Sequence, residues 1–90
     1  MKRIKINVTK TDIKKGQRCA AGCCPIALAV LRKFKGYAVS VSPYSVGVGH
    51  YNALERWKDY ALPRAATEFI FRFDAKQEVE PFSFTIRATA

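Results

Sequence analysis

The first 36 residues contain a single acid, Asp12. Against it stand ten bases: Lys2, Arg3, Lys5, Lys10, Lys14, Lys15, Arg18, Arg32, Lys33 and Lys35. Residues 37–90 balance six bases with six acids, so the whole net charge of +9 belongs to the first two-fifths of the chain. Solubility does not require charge to be one-sided. Clustered Lys and Arg gain affinity for phosphates by releasing their counterions, so the shortage of acid points to a polyanionic or acidic partner. Long apolar runs are missing too: none approaches the roughly 18 residues that span a bilayer, which argues against a membrane partner. The basic, then alternating, N-terminus lacks the apolar stretch and small-residue cleavage site of a secretory signal, and the expected location is cytoplasmic. At 90 residues the chain reads as one small basic domain, 1–90, and 49% hydrophobic content is too much for disorder. A chain of this size buries only about 60–65% of its extended surface, enough to close one core but not to wall off a deep catalytic cavity. Marginal stability leaves room for a homodimer.

Periodicity organises the rest. Lys2 to Thr9 places Ile4, Ile6 and Val8 on one face and Arg3, Lys5 and Asn7 on the other, a half-buried strand with a basic outer face. Thr9, with Asp12 three residues later, starts a short helical turn through Ile13 to Lys15 that stops at Gly16. Gln17 to Cys24 is a loop of small residues. A helix is predicted from Pro25 to about Lys35, with Ala27, Val30, Leu31 and Phe34 as its best-buried stripe and Gly36 as its left-handed stop. Tyr37 to Ser42 and Val46 to Gly49 read as a hairpin around Ser42-Pro43-Tyr44-Ser45. His50 to Ala61 reads as a loop leading into a short strand. After Leu62-Pro63, Ala66, Phe69, Ile70 and Phe73 mark an amphipathic helix ending near Asp74, and Pro81 to Arg87 alternates as a strand burying Phe82, Phe84 and Ile86. The order β-α-β-β-α-β fits an α+β fold, a small antiparallel sheet with two helices on one face.

Catalytic and metal motifs are scarce. A zinc site would need Cys19, Cys23, Cys24 and the only histidine, His50, yet adjacent cysteines chelate one ion poorly and the paired Cys-x-x-Cys signature is absent. No metal or cofactor is expected. Cys24, ahead of Pro25, occupies the position of a helix N-cap, where the dipole lowers a thiol's pKa; a thiol enzyme would still need a base, and burial as a small cap residue is the stronger expectation. No catalytic residue is assigned. Arg18, Gly22, Cys23 and Cys24 also form a candidate anion loop that exposes N–H groups at a helix start. It lacks the glycine and lysine spacing of a P-loop, and no cysteine is followed six residues later by arginine. Tyr37, Tyr44, Tyr51, Trp57 and Tyr60 cluster in mid-chain, where Tyr44 and Tyr51 would stack on bases if exposed, but no RNP motif accompanies them.

The run Cys24-Pro25-Ile26-Ala27-Leu28-Ala29, followed by Leu62-Pro63, Ala66, Phe69-Ile70, Phe73-Asp74, Val79 and Pro81-Phe82-Ser83-Phe84, resembles a group of short bacteriophage and mobile-element proteins with no assigned activity. That resemblance implies a small protein that acts by occupying a host macromolecule. The leading expectation is therefore a non-enzymatic accessory protein that binds nucleic acid or a host nucleoprotein complex through its ten N-terminal bases, and thereby inhibits a host defence such as CRISPR. A sponge for a phosphorylated nucleotide at the loop from Arg18 to Cys24, and a thiol enzyme using Cys24, are the other two readings.

Overall fold

Alternation decides both ends of the chain. The structure, a computed structural model, describes residues 3–18, 22–50 and 57–87. Strand β1, Arg3–Val8, buries Ile6 and Val8 and exposes Arg3, Lys5 and Asn7. The last strand, β5, Phe82–Arg87, buries Phe84 and Ile86 and exposes Ser83, Thr85 and Arg87. The two pair antiparallel in the register Arg3 to Arg87, Lys5 to Thr85 and Asn7 to Ser83, so one face of the ribbon is apolar and the other polar throughout.

Between them, α1 (Lys10–Lys15) opens on a complete capping box. The Thr9 hydroxyl accepts from Asp12 N–H at 3.2 Å, and the Asp12 carboxylate accepts from Thr9 N–H at 2.9 Å. The helix stops at Gly16, whose backbone turns extended (φ −68, ψ 150), and the close approach of Pro25 requires glycine there, since a Cβ would lie 2.5 Å from Pro25 Cδ and 2.6 Å from its backbone nitrogen. Gly16→Ala therefore pushes the start of the next helix away. A cost of about 1–3 kcal/mol in unfolding free energy is expected from overpacking, read by urea melts.

Helix α2, Pro25–Lys33, has Cys24 as its N-cap and is two residues shorter than its composition predicts. Phe34 leaves the helical region (φ −117, ψ 63) and Gly36 takes φ +85, a value that strains any residue with a Cβ. Its buried face is also rotated from the expected stripe: Ile26, Ala27, Ala29 and Val30 are buried, while Leu31 and Phe34 are partly exposed. The difference has a packing cause, because α2 lies against β1 on one side, α1 on another and β2 on a third, and so buries more than a narrow stripe.

The hairpin β2 (Ala38–Val41) and β3 (Ser45–Gly49) pairs Val41 with Val46, and β4 (Lys58–Ala61) adds to the far edge of β3. Trp57 covers Gly47 and Gly49, where a Cβ at Gly49 would lie 2.5 Å from the indole Cγ. Helix α3, Arg64–Asp74, turns Ala66, Phe69, Ile70 and Phe73 inward. The fold is α+β, with antiparallel strands as expected. Its strands, however, form a pair (β1-β5) and a triplet (β2-β3-β4); the short helical turn and the short strand before Leu62 that the sequence predicts are present as α1 and β4, so the six main elements become eight. β4 lies near β5 without a ladder between them; it is four residues long and runs towards Pro63, which has no N–H to donate. Phe69, Phe82 and Phe84 join the two halves of the core, with Phe69 and Phe82 centroids 4.9 Å apart. No helix among the described residues is long and apolar enough to cross a membrane.

Candidate nucleic-acid interface

The nine described N-terminal bases are distributed over β1, α1, α2 and the segments that follow the two helices. Lys2 lies outside the described residues. Arg3 and Lys5 stand on the outer face of β1, and the register adds Arg87 from β5, directly opposite Arg3. Together with Asn7, Ser83 and Thr85 they make a face of six exposed polar side chains, three cationic and none acidic. Like charges directly opposite across strands destabilise a sheet. The Arg3–Arg87 pair is thus a local cost that a bound anion would relieve. Ser83 Oγ donates to Asn7 Oδ1 at 2.6 Å, which fixes the amide at one end of the ribbon, and Arg32 Nη2 donates to the Asn7 carbonyl at 3.0 Å.

Lys10, Lys14 and Lys15 are exposed on α1, the element that follows the ribbon strand directly. Lys10 and Lys14 share an open groove of about 530 Å³ with Glu78 and Glu80, so part of their field is offset by acids from the neutral half of the chain. Lys33 and Lys35 are exposed at the end of α2 and in the turn after it. Among the described residues the ion pairs are Arg32–Asp12 and the surface pair Arg64–Glu68, and neither includes a cation of the ribbon or of α1.

Arg32 has a different task from the one its charge suggests. Its two terminal nitrogens donate to both oxygens of Asp12, at 3.0 and 2.7 Å, and Asp12 is almost fully buried. Burial is the largest single influence on the Asp12 carboxyl and by itself pushes its pKa up. The Arg32 and Thr9 hydrogen bonds, with the Arg32 charge, outweigh it, and the net position is below the ordinary carboxylate value. Arg32 thereby ties α1 to α2, with three hydrogen bonds made within the protein.

In the Cys24 loop, of which residues 19–21 lie outside the described residues, two backbone N–H groups already have partners. Gln17 N–H donates to the Cys23 carbonyl at 2.9 Å, and Cys24 Sγ accepts from Ala27 N–H at 3.4 Å, engaging a donor that a phosphate would need. Gly22 and Cys23 are exposed, and the Arg18 guanidinium sits 5.5 Å from the centre of the Phe73 ring. Cys24 is buried, lining a cavity of about 200 Å³ with Phe69, Ile70 and Phe73. Burial pushes its thiol above the ordinary value, and the Asp74 charge adds to that, against the backbone N–H groups that lower it. Alkylation by iodoacetamide, mapped by peptide mass, is expected to be fast at exposed Cys23 and slow at Cys24 until the chain unfolds. Cys23 and Cys24 are free thiols; Cys19 lies outside the described residues. Among the described residues no three of His, Cys, Asp and Glu converge as a metal site would require.

Of the mid-chain aromatics, Tyr44 is exposed and meets half-exposed Phe71 edge-on at 6.2 Å, while Tyr37 stacks on His50 at 4.5 Å. Tyr60 is buried, Trp57 covers the β3 glycines, and Tyr51 lies outside the described residues. Ser83, Thr85 and Arg87 are the residues that reading the N-terminal charge alone misses. Their signal is the alternation of the last strand, which becomes informative once β5 is placed beside β1. Comparison with protein families, curated proteins and solved structures finds no match for this chain.

Proposed function

We propose that this chain is a non-enzymatic nucleic-acid-binding protein whose contact surface is the outer face of the β1-β5 ribbon, flanked by α1. The observation that carries the reading is the composition of that face: Arg3, Lys5, Asn7, Ser83, Thr85 and Arg87, every one a hydrogen-bonding side chain and none a carboxylate. Such a set suits phosphates and base edges, because Arg and Lys supply charge while Asn, Ser and Thr supply donors and acceptors. Lys10, Lys14 and Lys15 add phosphate contacts beside it.

The resemblance to short phage proteins supplies a setting for this chemistry. The partner we infer there is nucleic acid, free or held in a host nucleoprotein complex, and the consequence of occupying it is inhibition of a host defence such as CRISPR. The buried, capped state of Cys24 gives the sponge and thiol readings less support than the ribbon gives this one.

Fluorescence anisotropy with labelled DNA and RNA, titrated over a series of salt concentrations, tests the reading. Affinity is expected to fall steeply with salt, by about 0.7–0.9 log units per log unit of salt for each phosphate neutralised. Absent binding, or binding that salt does not weaken, would falsify it.

A further inference from the structure

We infer that the ribbon lies in the major groove of B-form duplex DNA, with its outer side chains facing base edges and the α1 lysines facing the flanking phosphates. This rests on the nucleic-acid reading above and names the form of nucleic acid.

Dimensions come first. Outward side chains on one strand repeat every second residue, roughly 6.8 Å apart, and the paired strands are separated by about 4.8 Å. The six side chains therefore form two rows of three. Base pairs in B-DNA stack at about 3.4 Å along the axis, so successive outward residues on a strand that follows the inclined groove are roughly one to two base-pair steps apart. A two-stranded ribbon fits the major groove, about 12 Å wide, whereas the minor groove is about 6 Å. The major groove of A-form RNA is deep and narrow, and side chains do not read it.

Chemistry points the same way. Arg and Lys match the O6 and N7 acceptors of guanine, Asn matches the N6 and N7 pair of adenine, and Ser and Thr serve either. Arg3 and Arg87 stand side by side at one end of the ribbon, with Lys5 and Thr85 in the middle and Asn7 and Ser83 at the other end. The guanidinium end thus suits guanine, and the amide end, held by the Ser83 to Asn7 hydrogen bond, suits adenine. Single strands are gripped chiefly by stacking on aromatic side chains. This face has none, since all of the strands' aromatic residues, Phe82 and Phe84, lie on its inward side.

The test uses the full chain with a DNA duplex of two helical turns in which A·T runs that take netropsin alternate with G·C pairs, labelled at one end. Competitors are the same duplex with glucosylated hydroxymethylcytosine filling its major groove, the duplex saturated with netropsin in its minor groove, the RNA duplex of the same sequence, and one DNA strand alone. Plain and netropsin-loaded duplexes are expected to bind alike, and the other three more weakly by about ten-fold or more, the size of one lost bidentate contact. Arg87→Ala, an exposed change, is expected to weaken binding to the plain duplex about ten-fold while far-UV circular dichroism and thermal midpoint stay at the wild-type values. Equal affinity for RNA, for the single strand or for the glucosylated duplex, displacement by netropsin, or a folded Arg87→Ala with wild-type affinity would overturn the major-groove assignment while leaving nucleic-acid binding intact. Failure to bind any of the five would overturn the nucleic-acid reading as well.

Discussion

Replacing Asp12 with alanine is expected to lower the unfolding free energy by about 2–3 kcal/mol, a large share of the roughly 5–13 kcal/mol that a chain of this length holds. Two losses add. The Asp12 carboxylate caps α1 by accepting from Thr9 N–H, and it receives both terminal nitrogens of Arg32 across a sequence separation of 20 residues. A cap of this kind contributes about 1 kcal/mol, and hydrogen bonds to a charged group about 1.5–3. The Arg32 side chain is 49% exposed, so water rehydrates it once its partner is gone and the upper figures are discounted. Asp12→Asn keeps an oxygen for the cap but loses the ion pair, and about half the effect is expected. The sign with pH is fixed by the depressed pKa. The folded chain binds this proton less readily than the unfolded chain, so the contribution is complete above the ordinary aspartate value of 3.8 and is lost as pH falls below it through the lower folded value. Urea melts at neutral pH and at about pH 3 should therefore show the gap between wild type and Asp12→Asn narrowing in acid. A gap that widens in acid would show that Asp12 is not the stabilising carboxylate.

The same pair shows where the sequence was legible and where it was not. Thr9-x-x-Asp12 announces a capping box locally, because both partners sit within one turn, and the structure has it. Nothing local announces that Asp12 also receives Arg32, since that contact exists only after α1 and α2 pack; Arg32 consequently reads in sequence as one more surface cation. The strands behave alike. Alternation identifies β1 and β5 separately and even says which faces are wet, but only the pairing of the chain's first strand with its last places Arg87 opposite Arg3. Trp57 is the instructive case in the middle. Its spacing of three from Leu54 and Tyr60 imitates a helical turn, whereas the stronger cue is two glycines, Gly47 and Gly49, alternating with Val46 and Val48. They leave a side-chain-free trough on one face of β3, and the indole lies in it. Residues 51–56 of that stretch lie outside the described residues. For Cys24 the sequence placed both the cap and the burial correctly; what it did not show is that burial outweighs the backbone N–H groups and raises the thiol's pKa, a balance that depends on tertiary packing.

Substituting Lys10, Lys14 and Lys15 with glutamine is expected to flatten the salt dependence of DNA binding by about 2.7 log units per log unit of salt, if each neutralises one phosphate. Between 50 and 200 mM salt the wild-type protein would then lose about 40-fold more affinity than the variant. Glutamine keeps the helix propensity of lysine, so α1 itself should survive the change. A loss of binding alone would not separate lost contacts from lost fold. The groove that Lys10 and Lys14 share with Glu78 and Glu80 provides the complementary experiment. Glu78→Gln with Glu80→Gln removes the acids that offset the α1 field, and binding should tighten several-fold at low salt, with the gain fading as salt screens it. A gain of affinity is not an effect that misfolding produces. If the lysine variant weakens binding and the glutamate variant strengthens it, α1 faces the polyanion. If neither changes the salt slope while Lys33→Gln with Lys35→Gln does, the charge that matters is at the end of α2 and the interface has been placed on the wrong element.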